Sequence, residues 1–99
     1  MILIAGTMRM PAAKLDEARP ALQRVLAATH AEDGCLDYRF AEDVLDPGLI
    51  HVTELWRDQA ALNAHIATPH VVEWRAAGPT FGIGEHNFRV YDVGEPRTL

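Results

Sequence analysis

The sequence has 99 residues, of which 48% are hydrophobic and 23% charged. Such a composition is typical of one globular domain and excludes a disordered, collagen-like or coiled-coil chain. The net charge of −5 disfavours nucleic acid or an anionic membrane surface as a partner. A single cysteine, Cys35, excludes an internal disulfide, and no apolar run reaches the roughly 18 residues of a membrane span. We therefore expect a soluble, cytoplasmic protein.

The first third of the chain predicts a strand followed by a helix. The apolar, partly β-branched segment from Ile2 to about Arg9 predicts a strand that is buried on both faces. Between about residues 13 and 31, apolar side chains recur at spacings of three and four, which predicts an amphipathic helix. Pro20 disfavours a regular helix interior, so we expect the helix either to kink at this residue or to begin there.

The middle of the chain predicts an antiparallel hairpin. Residues 35–42 alternate, so that Leu36, Tyr38 and Phe40 share one face of a half-buried strand. Residues 49–56 alternate in the same way, and the Asp-Pro-Gly sequence at 46–48 is a turn in which proline presets φ and glycine accepts a positive φ. Together these segments predict two paired strands joined by a rather long loop.

The last third predicts two short helices and a final strand. Asp58 is a natural N-cap for the first helix, and Thr68 with Pro69 predicts the start of a second helix that ends near residue 77. Residues 85–93 form the last strand, so the domain covers residues 1–93 and residues 94–99 form a tail. The order β-α-β-β-α-β is that of a ferredoxin-like α+β fold with an antiparallel sheet. Because its helices cover one sheet face, we expect a second copy to cover the other, giving a homodimer.

Several segments of this sequence resemble the antibiotic biosynthesis monooxygenase family, including its small quinol monooxygenases. The family pattern is E-x-G-C-x-x-Y, then E-x-W-x-D, then two histidines five residues apart. The matching segments are residues 32–38 (EDGCLDY), 53–58 (TELWRD), 62–65 (LNAH) and 68–70 (TPH). The resemblance extends from about Ile2 to Tyr91, in the same order and spacing.

This resemblance implies a dimeric α+β barrel with a pocket in each protomer between the helices and the sheet. It also implies a monooxygenase that uses neither metal, flavin nor haem, since the substrate itself supplies the electrons. A small quinol or phenolic, polyketide-like aromatic compound would lose a proton, and its anion would then reduce O₂. The protein would bind, desolvate and deprotonate this substrate. The sequence contains neither a phosphate-binding P-loop nor a dinucleotide-binding glycine motif, in keeping with that expectation.

The resemblance makes His65 and His70 the candidate catalytic residues. The ordinary pKa of histidine, about 6.5, suits proton abstraction at neutral pH, so either could be the base. His70 follows Pro69 at the start of a helix, where free amides and the helix dipole would help it receive a substrate oxyanion. Residues five apart on a continuous helix lie about 140° out of phase, so we do not expect a metal site.

Five further residues are candidates for substrate binding. Tyr38, Trp56 and Trp74 offer aromatic walls that can stack on a planar ring. Glu54 shares a strand face with Trp56, where a buried carboxylate needs a hydrogen bond or has a raised pKa. Asn63 and Trp74 are similar to the Asn and Trp of a polyketide-tailoring branch of the family.

Two other functions fit the same residues. An isomerase or detoxification enzyme for a small carbonyl compound would use the histidines to move protons and would consume no oxygen. A non-catalytic stress module would bind an aromatic ligand without turnover. The haem-degrading branch is disfavoured because His65 stands where that branch has a tryptophan.

Overall fold

A computed structural model describes all residues from 1 to 99. Four strands and three helices follow one another in the predicted order, with a 3₁₀ turn before the first helix and another after the third. No helix is long and apolar enough to cross a membrane. The elements are β1 (Ile2–Arg9), α1 (Leu15–His30), β2 (Cys35–Glu42), β3 (Leu49–Trp56), α2 (Gln59–Ile66), α3 (Pro69–Ala77) and β4 (Glu85–Asp92).

The four strands form one antiparallel sheet in the order β2-β3-β1-β4. This is the ferredoxin-like topology that the sequence predicts, with the second helix divided into α2 and α3. Within a single chain, the prediction that β1 is buried on both faces holds for one face only. Ile2, Ile4 and Met8 are buried, whereas Leu3 and Thr7 on the opposite face are only partly covered. The helices lie on one face, and within a single chain no layer covers the other.

The helix-facing side of the sheet carries two clusters of buried side chains. One is centred on Trp56, which is completely buried between the sheet and α2. The other lies against α1 and includes Met8, Leu22 and Val52. Burying apolar side chains of this size contributes roughly 1.5–3 kcal/mol each. These clusters fix α1 and α2 on the sheet and leave a space between them and β4.

Two local predictions need correction. α1 extends from Leu15 to His30, so of the two alternatives the one in which the helix begins at Pro20 is wrong; Pro20 lies in its second turn. Proline at this position cannot donate to the carbonyl four residues earlier, a cost that tertiary packing offsets. In β2, a register irregularity between Cys35 and Asp37 turns Leu36 outward, where it is 51% exposed, whereas Tyr38 is buried. The predicted common face of Leu36 and Tyr38 therefore does not exist.

Gly6 allows β4 to approach β1 on the helix-facing side. A Cβ atom at this position would lie 2.0 Å from the carbonyl oxygen of Asn87 and 2.7 Å from Cα of Phe88. Both are backbone atoms, which cannot move without disturbing the strand pairing. A glycine is therefore needed in the middle of β1 to keep β4 in place.

Candidate active site

A cavity of about 660 Å³ lies between the helix-facing side of the sheet and helices α2 and α3. Twelve of its 19 lining residues are hydrophobic. Such a space is large enough for a small aromatic compound, and a mostly apolar lining with a few polar groups is typical of small-molecule sites. Its apolar lining includes Ile4, Met8, Phe40, Val52, Leu62, Val71, Trp74, Phe88 and Val90.

The polar groups at the closed end of the cavity come from β2, β3 and α2. His65 is 4% exposed and packs against Trp56 and Tyr38, with ring centroids 4.5 and 5.3 Å away. Its Nε2 atom lies 3.9 Å from Oε1 of Glu54, which is beyond hydrogen-bond distance. The indole N–H of Trp56 donates to the same carboxylate oxygen at 3.0 Å. A potential base and a potential acid therefore lie side by side.

Burial changes the acidity of two of these groups. It raises the pKa of the Glu54 carboxyl, an effect that the hydrogen bond from Trp56 and the charge of His65 oppose. It also raises the pKa of the Tyr38 hydroxyl, with further increases from the charges of Glu54 and Glu32. Tyr38 is therefore a neutral hydrogen-bonding wall and not a base at ordinary pH.

Behind His65, the carboxylate of Glu32 contacts both candidate histidines. Its Oε2 atom lies 2.7 Å from Nδ1 of His65 and 2.9 Å from Nε2 of His70. The two residues between α2 and α3, Ala67 and Thr68, break the helix, and this break lets both rings face one carboxylate. The histidines are thus brought together, although a continuous helix would separate them.

Four of the seven predicted site residues line the cavity: Tyr38, Glu54, His65 and Trp74. Trp56 does not line it. Its side chain is fully buried behind His65, where its N–H holds Glu54 in place. Trp56 therefore supports the site and is not an aromatic wall for a ligand.

The structure places the other two predicted residues, Asn63 and His70, outside the cavity. Asn63 is exposed on α2, and its side-chain oxygen accepts a hydrogen bond from Gln59 at 2.9 Å. His70 makes its contact with Glu32 and does not line the cavity. The expectation that His70 receives a substrate oxyanion has no geometric support, because His70 is not among the lining residues and its Nε2 is bonded to Glu32.

Three residues that the sequence interpretation did not select belong to this region. Arg75 and His86 line the cavity from α3 and β4, and Glu32 joins the two histidines. The guanidinium of Arg75 has no carboxylate within 4.0 Å, although its charge acts on Glu54 and Tyr38. Glu32 begins the E-x-G-C segment, so its place in the motif was the available signal. No pattern in the sequence points to His86 or Arg75.

Glu32, His65 and His70 also have the side chains that metals bind. One potential ligand atom from each lies within 4.8 Å of the others, and two histidines with one carboxylate can hold iron or zinc. In this arrangement, however, one carboxylate oxygen accepts hydrogen bonds from both rings, so this oxygen is already engaged with the two histidines. That no metal binds here stays a prediction.

Comparison with known proteins identifies the class to which this fold and cavity belong. The family model for antibiotic biosynthesis monooxygenases matches residues 1–77, from β1 to the end of α3. The chain belongs to this family. The predicted resemblance is therefore confirmed.

Individual relatives agree with this assignment. A crystal structure from Deinococcus radiodurans, described as a candidate antibiotic biosynthesis monooxygenase, has a TM-score of 0.91 and 30% identity, covering 100% of this chain and 98% of that one. Rv0793 of Mycobacterium tuberculosis, named a candidate monooxygenase, is 35% identical over 75% of this chain and 71% of its own length. An uncharacterised Synechocystis protein, sll1783, is 29% identical over 99% of this chain and 67% of its own length.

Proposed function

We propose that this protein is a cofactor-independent monooxygenase that oxidises a small quinol or phenolic, polyketide-like aromatic compound with O₂. The observation that carries the proposal is the cavity itself, whose mostly apolar lining has His65 at its closed end. Family membership and the names of its relatives favour oxygenation over other reactions.

In this proposal His65 is the base and Arg75 the partner of the substrate anion. Nε2 of His65 takes a proton from the substrate, and the anion is held near the guanidinium, the only arginine among the lining residues. The anion then passes its electrons to O₂ and a C–O bond forms, giving a peroxide anion that takes up the proton held at Nε2. When the O–O bond breaks, the oxidised carbon loses its remaining proton, one oxygen atom stays on that carbon as a carbonyl, and the other leaves as water.

The aromatic walls have a separate task. Phe40 and Trp74 lie with ring centroids 6.3 Å apart on the lining of the cavity, and Tyr38 is 5.3 Å from Phe40. Flat rings of this kind hold a planar substrate by stacking and exclude water from its anion. Exclusion of water favours electron transfer to O₂ over reprotonation of the anion.

The experiment is oxygen uptake with a panel of hydroquinones, naphthoquinols and anthrones, corrected for autoxidation. The protein is first treated with a chelator and its absorbance spectrum is checked for flavin and haem. We expect His65→Ala to reduce kcat by about 10²–10⁴-fold, the usual contribution of a general base. His51→Ala is the matched control, because His51 pairs with Asp43 at the surface and is half exposed. Uptake equal to the blank for every compound would reject the proposal.

The neighbouring acid and base also fit an isomerase for a small carbonyl compound. Glu54, with its raised pKa, and Nε2 of His65 are 3.9 Å apart and could move a proton between two substrate carbons. This reaction consumes no oxygen. Under nitrogen in D₂O, an isomerase would exchange the α-protons of such compounds, which NMR detects, whereas a monooxygenase that acts only on quinols would leave them unchanged.

We also propose that the protein works as a homodimer. β4 is exposed along its whole length, and no layer of a single chain covers the sheet face away from the helices, where Tyr91 pairs with Leu3 and is 45% exposed. A second copy packed on that face would bury these side chains. Light scattering at micromolar concentration should give twice the mass of 11.0 kDa. Tyr91→Asp should shift the protein toward monomer, whereas Val72→Asp on α3, also exposed, should not.

A further inference from the structure

Glu32 is held by its backbone as well as by its side chain. It follows the C-terminal end of α1, where its N–H donates to the carbonyl of Thr29 at 3.0 Å and its carbonyl accepts from Cys35 N–H at 3.2 Å. The next turn passes through Gly34, whose φ of +86° favours glycine. The carboxylate, 13% exposed, is therefore fixed in position below α2 and α3 before any ligand enters.

The contact between Glu32 and His65 determines which ring nitrogen carries the proton. A carboxylate accepts hydrogen bonds, so Nδ1 of His65, 2.7 Å away, is the donor. In a neutral ring the other nitrogen then has a free lone pair. That nitrogen is Nε2, on a ring that lines the cavity, and its nearest carboxylate oxygen is 3.9 Å away.

His70 fixes the carboxylate in turn. Its Nε2 atom donates to the same oxygen of Glu32 at 2.9 Å, so this oxygen receives two N–H groups. The side chain of His70 is 24% exposed, more than that of Glu32, which is 13% exposed. The place of His70 explains why a second histidine follows in the chain although it does not reach the cavity.

We propose that Glu32 is a positioning residue that makes His65 the base of the reaction, an inference that rests on the proposed function. It holds His65 in the Nδ1–H form, with Nε2 free toward the substrate. When the substrate O–H bond breaks and the proton forms an N–H bond at Nε2, the imidazolium is paired with the carboxylate of Glu32. The proton later passes from Nε2 to the peroxide anion, so Glu32 itself need not change its protonation. Carboxylate partners of this kind orient catalytic histidines in other enzymes.

The direct test is the tautomer of His65, read from the ¹⁵N shifts of its ring in the ligand-free protein at a pH where the ring is neutral. We expect the Nδ1–H form in the wild type and the Nε2–H form in Glu32→Met, which fills a similar volume without an acceptor. Glu32→Gln keeps an acceptor oxygen without the charge, so it should retain more of the Nδ1–H form. Asp33→Asn is the control, because Asp33 pairs with Arg57 at the surface.

Oxygen uptake then tests the consequence for catalysis. We expect kcat to fall roughly 10- to 100-fold in Glu32→Met and less in Glu32→Gln, with KM within about three-fold of wild type. An Nε2–H form in the wild type, or an unchanged tautomer in Glu32→Met, overturns the inference. If the tautomer changes as expected but no compound is oxidised by wild type, the proposed reaction fails and the positioning of His65 stands.

Metal binding would give a different set of results. If Zn²⁺ or Fe²⁺ bound at one equivalent, shifted the signals of both His65 and His70, and was required for oxygen uptake, Glu32 would be a ligand and not a hydrogen-bond partner. We expect neither ion to change the uptake of the chelator-treated protein.

Discussion

The two ends of the cavity differ in how completely a single chain builds them. At the closed end, the side chains of His65 and Glu54 are 5% and 9% exposed, and each ring or carboxylate has a fixed neighbour. At the β4 end, Phe88 and Val90 are 41% and 59% exposed. The ionisable groups of the candidate site are therefore arranged within one chain, whereas the wall beside β4 leaves apolar surface uncovered.

This difference also separates two kinds of stability. The closed end depends on hydrogen bonds between buried groups, which are costly to leave unpaired. The β4 end depends on strand pairing with β1, because no side chain of β4 is buried. Substitutions in β1 should therefore affect the β4 end before the rest of the fold.

The largest effect should come from Gly6→Val, which should disrupt the pairing of β4 with β1. Its Cβ would overlap the backbone of Asn87, and overpacking of this kind typically costs about 1–3 kcal/mol. We expect a lower urea midpoint and rapid hydrogen exchange of the β4 amides, while the amides of β2 and β3 stay protected. Thr7→Val, on the opposite face of the same strand, is the control and should change both readouts little. Equal loss of protection in all strands would contradict the separation of the two ends.

A smaller effect should appear at the closed end in Glu54→Gln, as a change in the pH dependence of stability. Burial raises the pKa of Glu54 above its ordinary value of 4.5, so the folded state binds this proton more tightly than the unfolded chain does. The stability that the folded protein gains from holding this proton is therefore fully present below pH 4.5 and is lost as the pH rises through the folded-state pKa of Glu54. Glutamine resembles the protonated form and does not titrate.

The measurement is the free energy of unfolding of both proteins between pH 4 and pH 8. We expect Glu54→Gln to gain stability relative to wild type as the pH rises over this range. Glu73→Gln, on the exposed side of α3, is the matched control for the change of residue type. A difference between Glu54→Gln and wild type that stays constant over this range would mean that folding does not raise the pKa of Glu54.

The sequence predicted the elements well because their hydrophobic periods are distinct. Asp58 is the N-cap of α2, where its side chain accepts from the N–H of Ala61 at 2.8 Å, as its residue type predicts. Prediction failed where packing overrides local preference. Pro20 is accommodated inside α1, and the irregularity in β2 changes which face Leu36 occupies. Neither feature can be predicted from the hydrophobic period of two residues in a strand or 3.6 residues in a helix.

The site was predictable only as far as single elements determine it. Tyr38, Glu54 and His65 follow from their places on β2, β3 and α2, and the structure brings them together. The contacts of Glu32 with His65 and His70 join residues 33 and 38 positions apart, so no local pattern contains them. Which face of β4 meets the cavity, and hence the place of His86, depends on its register with β1.

The smallest effect should come from Asn63→Ala, because Asn63 lies on α2 beside the closed end but outside the cavity. Asn63 precedes His65 by two residues, or about 200° around a helix, so a buried His65 requires an exposed Asn63. Its one side-chain contact is the exposed hydrogen bond with Gln59. We expect stability to change by less than about 0.5 kcal/mol and oxygen uptake by less than two-fold.

Asn63→Ala and His65→Ala form a matched pair on one helix, compared by urea unfolding and by oxygen uptake. They should differ in uptake by at least the contribution of a general base, about 10²-fold. A loss of more than ten-fold in Asn63→Ala would mean that the substrate contacts the outer side of α2, either through a rotated helix or across a dimer. The cavity within a single chain would then be the wrong site, because a ligand inside it reaches His65 and never meets Asn63.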